Sequence, residues 1–415
     1  MIVPPPPAPA LRSDGYDAAV SQAGHELEGG SILLIVIDGL GGLADAEAGT
    51  ELEQARTPNL DRLALEGVTG LLEPVGPGIT PGSGPGHLAL FGYDPHAFEL
   101  GRGTLSAAGL GFELRPGDVA ARGNLCTLDP DGNVVDRRAG RPRDDEARRV
   151  IDRLQAEVKI EGVEVFFRPE RGHRLLVVLR GEGLDPRVGD TDPQTTGRPP
   201  LDPVALDPAA ERTARVARVL TEQTRQVLAG EPAANGLLLR GFDTHRELPS
   251  FSERYRLRPA AVAVYPMYRG IASLLGFEVL GPPSDLEEQV RLTAEHAGRF
   301  DYLFFHHKDA DAAGEDGDRV AKVAAIERLD AVIPGLVAAG SDVVAVTGDH
   351  ATPSQMAAHS WHPVPVLVHG PRCGRDDVER FGERWCLRGG LGLRPSKELM
   401  PILLANAGRL AKYGA

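Results

Sequence analysis

The stretch Ile32–Asp38, "ILLIVID", runs directly into "GLGG" (39–42). Six apolar residues in a row show no alternation, so both faces of the strand should be covered, as in a parallel sheet flanked by helices. The run ends on a carboxylate and a glycine-rich turn. Ligands of open parallel sheets bind beyond the carboxyl ends of the strands, so Asp38 stands where chemistry is expected. Comparable runs recur at "LLVVLRG" (175–181), "GLLLRG" (236–241), "AVAVY" (261–265), "YLFFHH" (302–307), "VVAVTGDH" (343–350) and "VPVLVHG" (364–370).

Amphipathic stretches lie between them. "TPNLDRLALEG" reads as a helix with Thr57 as cap, Pro58 in the first turn and Gly67 as stop. "SDLEEQVRLTAEHAGRF" and "DRVAKVAAIERLDAVIPGLVAAG" read the same way. Strand and helix in alternation predict an α/β fold with a doubly wound, mostly parallel sheet. Residues 114–234 differ: they are rich in Arg, Asp, Gly and Pro, with their own strands and a helix near 208–229. They read as a smaller inserted α+β domain. The main domain is then 31–113 and 235–415, and the proline-rich 1–30 an extended arm.

The 415 residues exceed one ordinary core, which suits two domains. A formal charge of −14 argues against nucleic-acid or anionic-membrane partners, which need a basic face. An anionic substrate would need a local arginine cluster. The opening lacks a basic-then-apolar leader, and no apolar run approaches the roughly 18 to 20 residues needed to span a bilayer. Cys126, Cys373 and Cys386 have no metal-site spacing, and their odd number fits a reducing cytoplasm rather than a disulfide framework.

Three strand ends carry groups able to hold a metal: Asp38, then "KDAD" with Asp309 and Asp311, then "GDH" with Asp349 and His350. One such Asp is ordinarily a turn former; three together suggest a site for Mn²⁺, Mg²⁺ or Zn²⁺. In "GITPGSGPGHLALFGYDP" (78–95), Ser83 is flanked by glycines and precedes a helix-like segment. A helix N-terminus favours an anionic group there. No "GxSxG" elbow is present, so a metal is a better activator of this serine than a triad.

"VIDGLGG", "TPNLDRLALEG", "PGSGPGHLALFGYDP", "AVAVYPMYRGIASLLGFEV" and "TGDHATPSQMAAHSWHPVPVLVHG" together resemble the archaeal-type cofactor-independent phosphoglycerate mutases, of the alkaline phosphatase superfamily. The resemblance spans about 31 to 405 in order and is weakest in the insert, where "ARGN", "DRRAGR" and "VGDTDP" echo it. It implies an alkaline-phosphatase-like domain with the insert as cap, two divalent metal ions, and a phosphoserine intermediate on Ser83. One ion would be held by Asp38, Ser83, Asp349 and His350, the other by Asp311 and His359. The family usually has a histidine four residues after that aspartate; "DAAGEDG" puts Glu315 there. Glu315 could coordinate and favour Mn²⁺ or Mg²⁺ over Zn²⁺, His362 could compensate, or the second site could be degraded.

The substrate's carboxylate and phosphate need separate cations. Candidates are Arg122, Arg138, Arg141, His173, Arg174, Arg240, Arg269 and Lys308, while His306 and His307 read as strand-end packing. The expected activity is interconversion of 3- and 2-phosphoglycerate, a small phosphorylated metabolite, by a cytoplasmic enzyme of open oligomeric state. A metal-dependent phosphatase or another phosphomutase is the alternative, followed by a non-catalytic relative.

Overall fold

The computed structural model describes residues 29–45, 48–98, 100–245 and 247–412, so the expected arm lies outside them apart from Gly29 and Gly30. The strands in chain order are β1 (Ile32–Ile37), β2 (Val68–Glu73), β3 (Val119–Leu128), β4 (Val134–Asp136), β5 (Glu164–Pro169), β6 (Arg174–Arg180), β7 (Gly236–Thr244), β8 (Pro259–Ala263), β9 (Glu278–Leu280), β10 (Tyr302–His307), β11 (Val343–Thr347), β12 (Val364–His369) and β13 (Gly392–Pro395). The helices that matter below are α1 (Pro58–Glu66), α2 (Ser83–Leu90), α3 (Arg102–Gly109), α4 (Asp144–Glu157), α5 (Glu211–Val227), α6 (Pro266–Leu274), α7 (Leu286–His296), α8 (Asp309–Glu315) and α9 (Arg319–Ala338).

Among the described residues the chain falls into two compact units, the first comprising 29–98, Pro249–Val264 and 275–412. Its eight-stranded sheet has the order β13-β2-β12-β11-β1-β10-β8-β9. β1 is buried at every position and lies between β10 and β11, parallel to both. The fold class is thus α/β with a mixed sheet in which β12 alone opposes the rest. The exception has a simple cause. Chain 348–363, between β11 and β12, contains no helix, and a parallel return needs a crossover of a dozen or more residues, usually helical.

Local signals explain the helices. Asp318 caps α9 through Ala321 N at 2.9 Å, and Asp285 caps α7 through Glu288 N at 2.9 Å. At α1 the expectation fails in detail: Thr57 occupies the cap position, but its side chain makes no capping bond. The buried carboxylate of Asp330 does that work from α9, accepting from Leu60 N at 2.8 Å and Asn59 N at 3.1 Å. The cap arrives from 270 residues away and welds α1 to α9.

Among the described residues the second unit spans 100–248 and Tyr265–Leu274, wider than the 114–234 read from the sequence. Its sheet has the order β4-β3-β6-β5, with β7 also pairing β3, and every pairing is antiparallel. Apolar stripes of α4 (Val150, Ile151, Leu154) and α5 (Val216, Ala217, Leu220) close its core. The boundary shifts because "GLLLRG" (β7) pairs with β3, from Gly236 opposite Cys126 to Thr244 opposite Val119, instead of joining the main sheet. Its own residues do not name its partner.

Candidate active site

Strand β1 delivers Asp38 fully buried at its carboxyl end. Glycine at 39 is required: φ is +64°, and a side chain there would meet Thr352 Oγ1 at 2.6 Å and Asp311. β11 delivers Asp349 and His350 beside it. Asp349 Oδ1 accepts from Gly39 N at 3.1 Å, and Asp349 Oδ2 lies 3.2 Å from His350 Nε2. β10 and α8 bring Asp311, whose Oδ1 is 3.5 Å from His359 Nε2.

Ser83 is the first residue of α2, where free N–H groups and the helix dipole favour an anion. Its Oγ lies 3.1 Å from His350 Nε2. Any side chain at Gly86 would strike the Asp349 backbone, so glycine at this turn lets α2 approach the 349–350 loop.

Two triads converge tightly enough to hold ions, Asp38–Asp349–His350 and Asp311–His350–His359, each with one ligand atom per residue lying within 4.8 Å of the others. The donor set fits divalent cations on independent grounds. Asp349 Oδ2 and both Asp38 oxygens are buried without a hydrogen bond. His359 Nδ1 points at the Pro81 carbonyl at 2.9 Å; a carbonyl only accepts, so Nδ1 carries the hydrogen and Nε2 faces the acids.

Electrostatics follow from crowded acids. Burial pushes the Asp38 carboxyl up, but Lys308, His306 and His350 outweigh it and hold it well below the ordinary range. Burial and the Asp38 charge raise Asp311. Burial depresses His350, favouring the neutral imidazole a metal ligand must be. Burial alone would depress His359, yet the Glu315 carboxylate and the Asp311 charge hold it up at about 9. Lys308 Nζ stands 3.1 Å from Asp38 and bonds Asp311, bridging the two triads.

Glu315 lies 3.6 Å from His359 Nε2, at the margin of the second triad, and its side chain is 55% exposed. His362 takes no part: its Nδ1 meets Ser360 Oγ at 2.9 Å, and it lines a separate cavity of about 290 Å³ with Leu43, Leu71 and Leu387. Two histidines that touch these acids were not expected to. His306 is more than packing, since its Nε2 lies 3.3 Å from Asp38 Oδ2. His87 lies 3.2 Å from Asp349 Oδ2 and bonds the Ser83 carbonyl at 2.8 Å. Its spacing of four from Ser83 on one helix face was the available signal.

The second unit gathers cations. Arg122, Arg174 and Arg240 lie on β3, β6 and β7, with Arg102 on α3, and burial together with Arg102 and Arg174 pulls Arg122 down to about 10. Burial, Arg174, Arg138 and Arg122 press His173 down to about 4, so it is neutral. Arg102 was not anticipated; "GRGT" offers no local mark. Arg240 is held 3.7 Å from Asp190 and 3.6 Å from Asp192, and Arg174 donates to Tyr265 Oη at 2.6 Å. In "DRRAGR" the residue paired to Asp192 is Arg137, at 2.7 Å. Arg141 has a left-handed backbone (φ 54°), and Arg269 lies on α6.

Comparison with known proteins gives consistent findings. A family model described as 2,3-bisphosphoglycerate-independent phosphoglycerate mutase matches residues 64–234. A Thermus thermophilus protein named "Probable 2,3-bisphosphoglycerate-independent phosphoglycerate mutase" is 56% identical over 92% of this chain and 96% of its own length. A solved structure from Pyrococcus horikoshii superposes with TM-score 0.80 at 30% identity, covering 93% of this chain and 100% of that one. A cofactor-independent phosphoglycerate mutase from Thermoplasma acidophilum gives TM-score 0.67 at 30% identity, over 91% and 100%.

Proposed function

The chain belongs to the 2,3-bisphosphoglycerate-independent phosphoglycerate mutases, and from that premise we propose that it interconverts 3- and 2-phosphoglycerate through phosphoserine at Ser83. The observation that carries this reading is the convergence of Ser83 Oγ with Asp38, Asp349 and His350, next to the Asp311–His359 pair. We assign Asp38, Ser83, Asp349 and His350 to one divalent ion, and Asp311, His359 and Glu315 to a second, Mn²⁺ or Mg²⁺ before Zn²⁺. Bound there, such ions would stabilise the serine alkoxide and offset charge on the phosphoryl oxygens.

Ser83 loses its hydroxyl proton and its Oγ attacks the substrate phosphorus; the bond between phosphorus and the glycerate oxygen breaks, and that oxygen takes up a proton. The other glycerate hydroxyl then loses its proton and attacks the phosphoserine phosphorus, the P–Oγ bond breaks, and Ser83 Oγ takes up a proton. His87 holds the α2 end through the Ser83 carbonyl, and Lys308 offers a cation to the phosphoryl oxygens. Arg102, Arg122, Arg138, Arg174 and Arg240, with neutral His173 as a hydrogen-bonding group, supply the counter-charge for the substrate's anionic groups, and Arg269 is a further candidate. The second unit serves as the cap that excludes water while the glycerate waits. A cytoplasmic location belongs to the same proposal. Among the described residues no helix is long and apolar enough to cross a membrane.

The test is an assay of purified protein with 3-phosphoglycerate and Mn²⁺, following 2-phosphoglycerate and free phosphate together. Isomer without phosphate release is expected. Stoichiometric phosphate would make the enzyme a phosphatase, and silence with every divalent metal would end the catalytic reading.

A further inference from the structure

The proposed ion sites meet at a residue that neither reading of the site uses. Thr352 lies fully buried two residues beyond His350. Its Oγ1 donates to Asp311 Oδ1 at 2.6 Å and lies 3.0 Å from His350 Nδ1. A hydroxyl has one hydrogen, and an ionised carboxylate can only accept. The hydrogen therefore goes to Asp311, and the oxygen must accept from His350 Nδ1–H. That leaves the His350 lone pair on Nε2, the atom facing Asp38, Asp349 and Ser83.

The hydroxyl is itself held. Thr352 N donates to the Gly41 carbonyl at 3.0 Å, and the buried ammonium of Lys322 donates to the Gly41 carbonyl at 3.0 Å and the Thr352 carbonyl at 2.8 Å. The loop after β1 and the loop after β11 are thereby pinned to one another behind the acids. Glycine at 39 leaves room for this hydroxyl.

We infer that Thr352 is a positioning residue that selects the metal-binding tautomer of His350 and, through one hydroxyl, ties it to Asp311 of the other triad. Loss of the hydroxyl frees His350 to carry its hydrogen on Nε2 and leaves Asp311 short of a donor, so both ions should bind less well. The inference rests on the metal reading of the site, and the experiment separates the two. Metal-free wild type, Thr352→Val and Thr352→Ser are titrated with Mn²⁺ and followed by electron paramagnetic resonance, with thermal unfolding of the metal-free proteins in parallel.

Wild type is expected to bind Mn²⁺. The valine variant, close in shape, should bind it about 10- to 100-fold more weakly, the usual loss when a partner behind a metal ligand is removed. Serine should restore wild-type affinity because it keeps the hydroxyl. Unchanged metal-free melting in the valine variant separates positioning from a folding defect; should valine not fold, Thr352→Ala against Thr352→Ser makes the same comparison. Wild-type affinity in the valine variant, or in the alanine variant if valine does not fold, would overturn the Thr352 role alone, as would equally weak binding by the serine variant. A wild type that binds no Mn²⁺ would overturn the metal reading and this inference with it.

Discussion

Glu315 is the residue at which this chain departs from the pattern it otherwise resembles, and its consequence falls on His359. In the metal-free site the Glu315 and Asp311 carboxylates hold that imidazole up at about 9 against burial, so near neutral pH it is protonated. A metal ligand must be neutral, and binding must expel that proton. Mn²⁺ affinity should therefore rise by up to about tenfold per pH unit between about pH 7 and 9. Calorimetry in buffers of different ionisation enthalpy should show close to one proton released; buffer-independent heats would contradict this. Replacing Glu315 by Gln should weaken Mn²⁺ binding, and replacing it by His should move preference toward Zn²⁺, a nitrogen ligand being softer. Competition between Mn²⁺ and Zn²⁺ in the Glu315→His variant reads this directly, and an unchanged ratio would argue that Glu315 is no ligand.

At the scale of elements, the site hangs on strand ends and one helix start. In the proposed mechanism Ser83 works from the first turn of α2, so Ser83→Ala should cut turnover by about 10⁴-fold or more while leaving Mn²⁺ binding largely in place, because the carboxylates and imidazoles remain. A variant that stayed active would refute the covalent route. Helix α9 contributes Lys322, whose ammonium also sits 3.9 Å from Glu51, itself bonded to Ser354 N at 2.8 Å. Lys322→Met should cost about 3–5 kcal/mol by stranding that buried carboxylate, and adding Glu51→Gln should recover part of it. Urea unfolding of single and double variants measures both; strictly additive losses would deny the coupling. Much of this scale was legible. Continuous apolar runs marked β1, β10 and β11, and the polar residues ending them are the ones brought together. The strand "GLLLRG" was recognised but assigned to the wrong sheet, because pairing is settled by β3, far away in sequence. Lys322 was invisible for a related reason: one lysine in an amphipathic helix looks solvated until the loops that bury it are in place.

For the whole molecule, charge decides how the site and the chain depend on metal. The chain carries −14 overall, and Asp38, Asp311 and Asp349 are buried within one site, with Lys308 the ammonium placed between Asp38 and Asp311. Such carboxylates repel in a low-dielectric interior, and His350, which burial keeps neutral, offsets none of it, leaving Lys308 and the protonated His359 as counter-charges in the metal-free site. The sequence could supply the acids, their order along the chain and the resemblance. It could not show that Asp349 and Asp38 keep oxygens free of hydrogen bonds, which is a property of packing. On the proposed metal reading, those oxygens make a bound ion part of the stability of the first unit. Mn²⁺ at about one hundred times its dissociation constant should add about 2.7 kcal/mol, raising the melting temperature progressively with concentration, and chelation should reverse the gain. Asp349→Asn, which removes one of the proposed ligand carboxylates, should gain less from Mn²⁺ than wild type does. Melting curves for both proteins with chelator and with Mn²⁺ decide it: if the wild type gains nothing from Mn²⁺, or the variant gains as much, the acids are held apart by the fold itself and not by an ion.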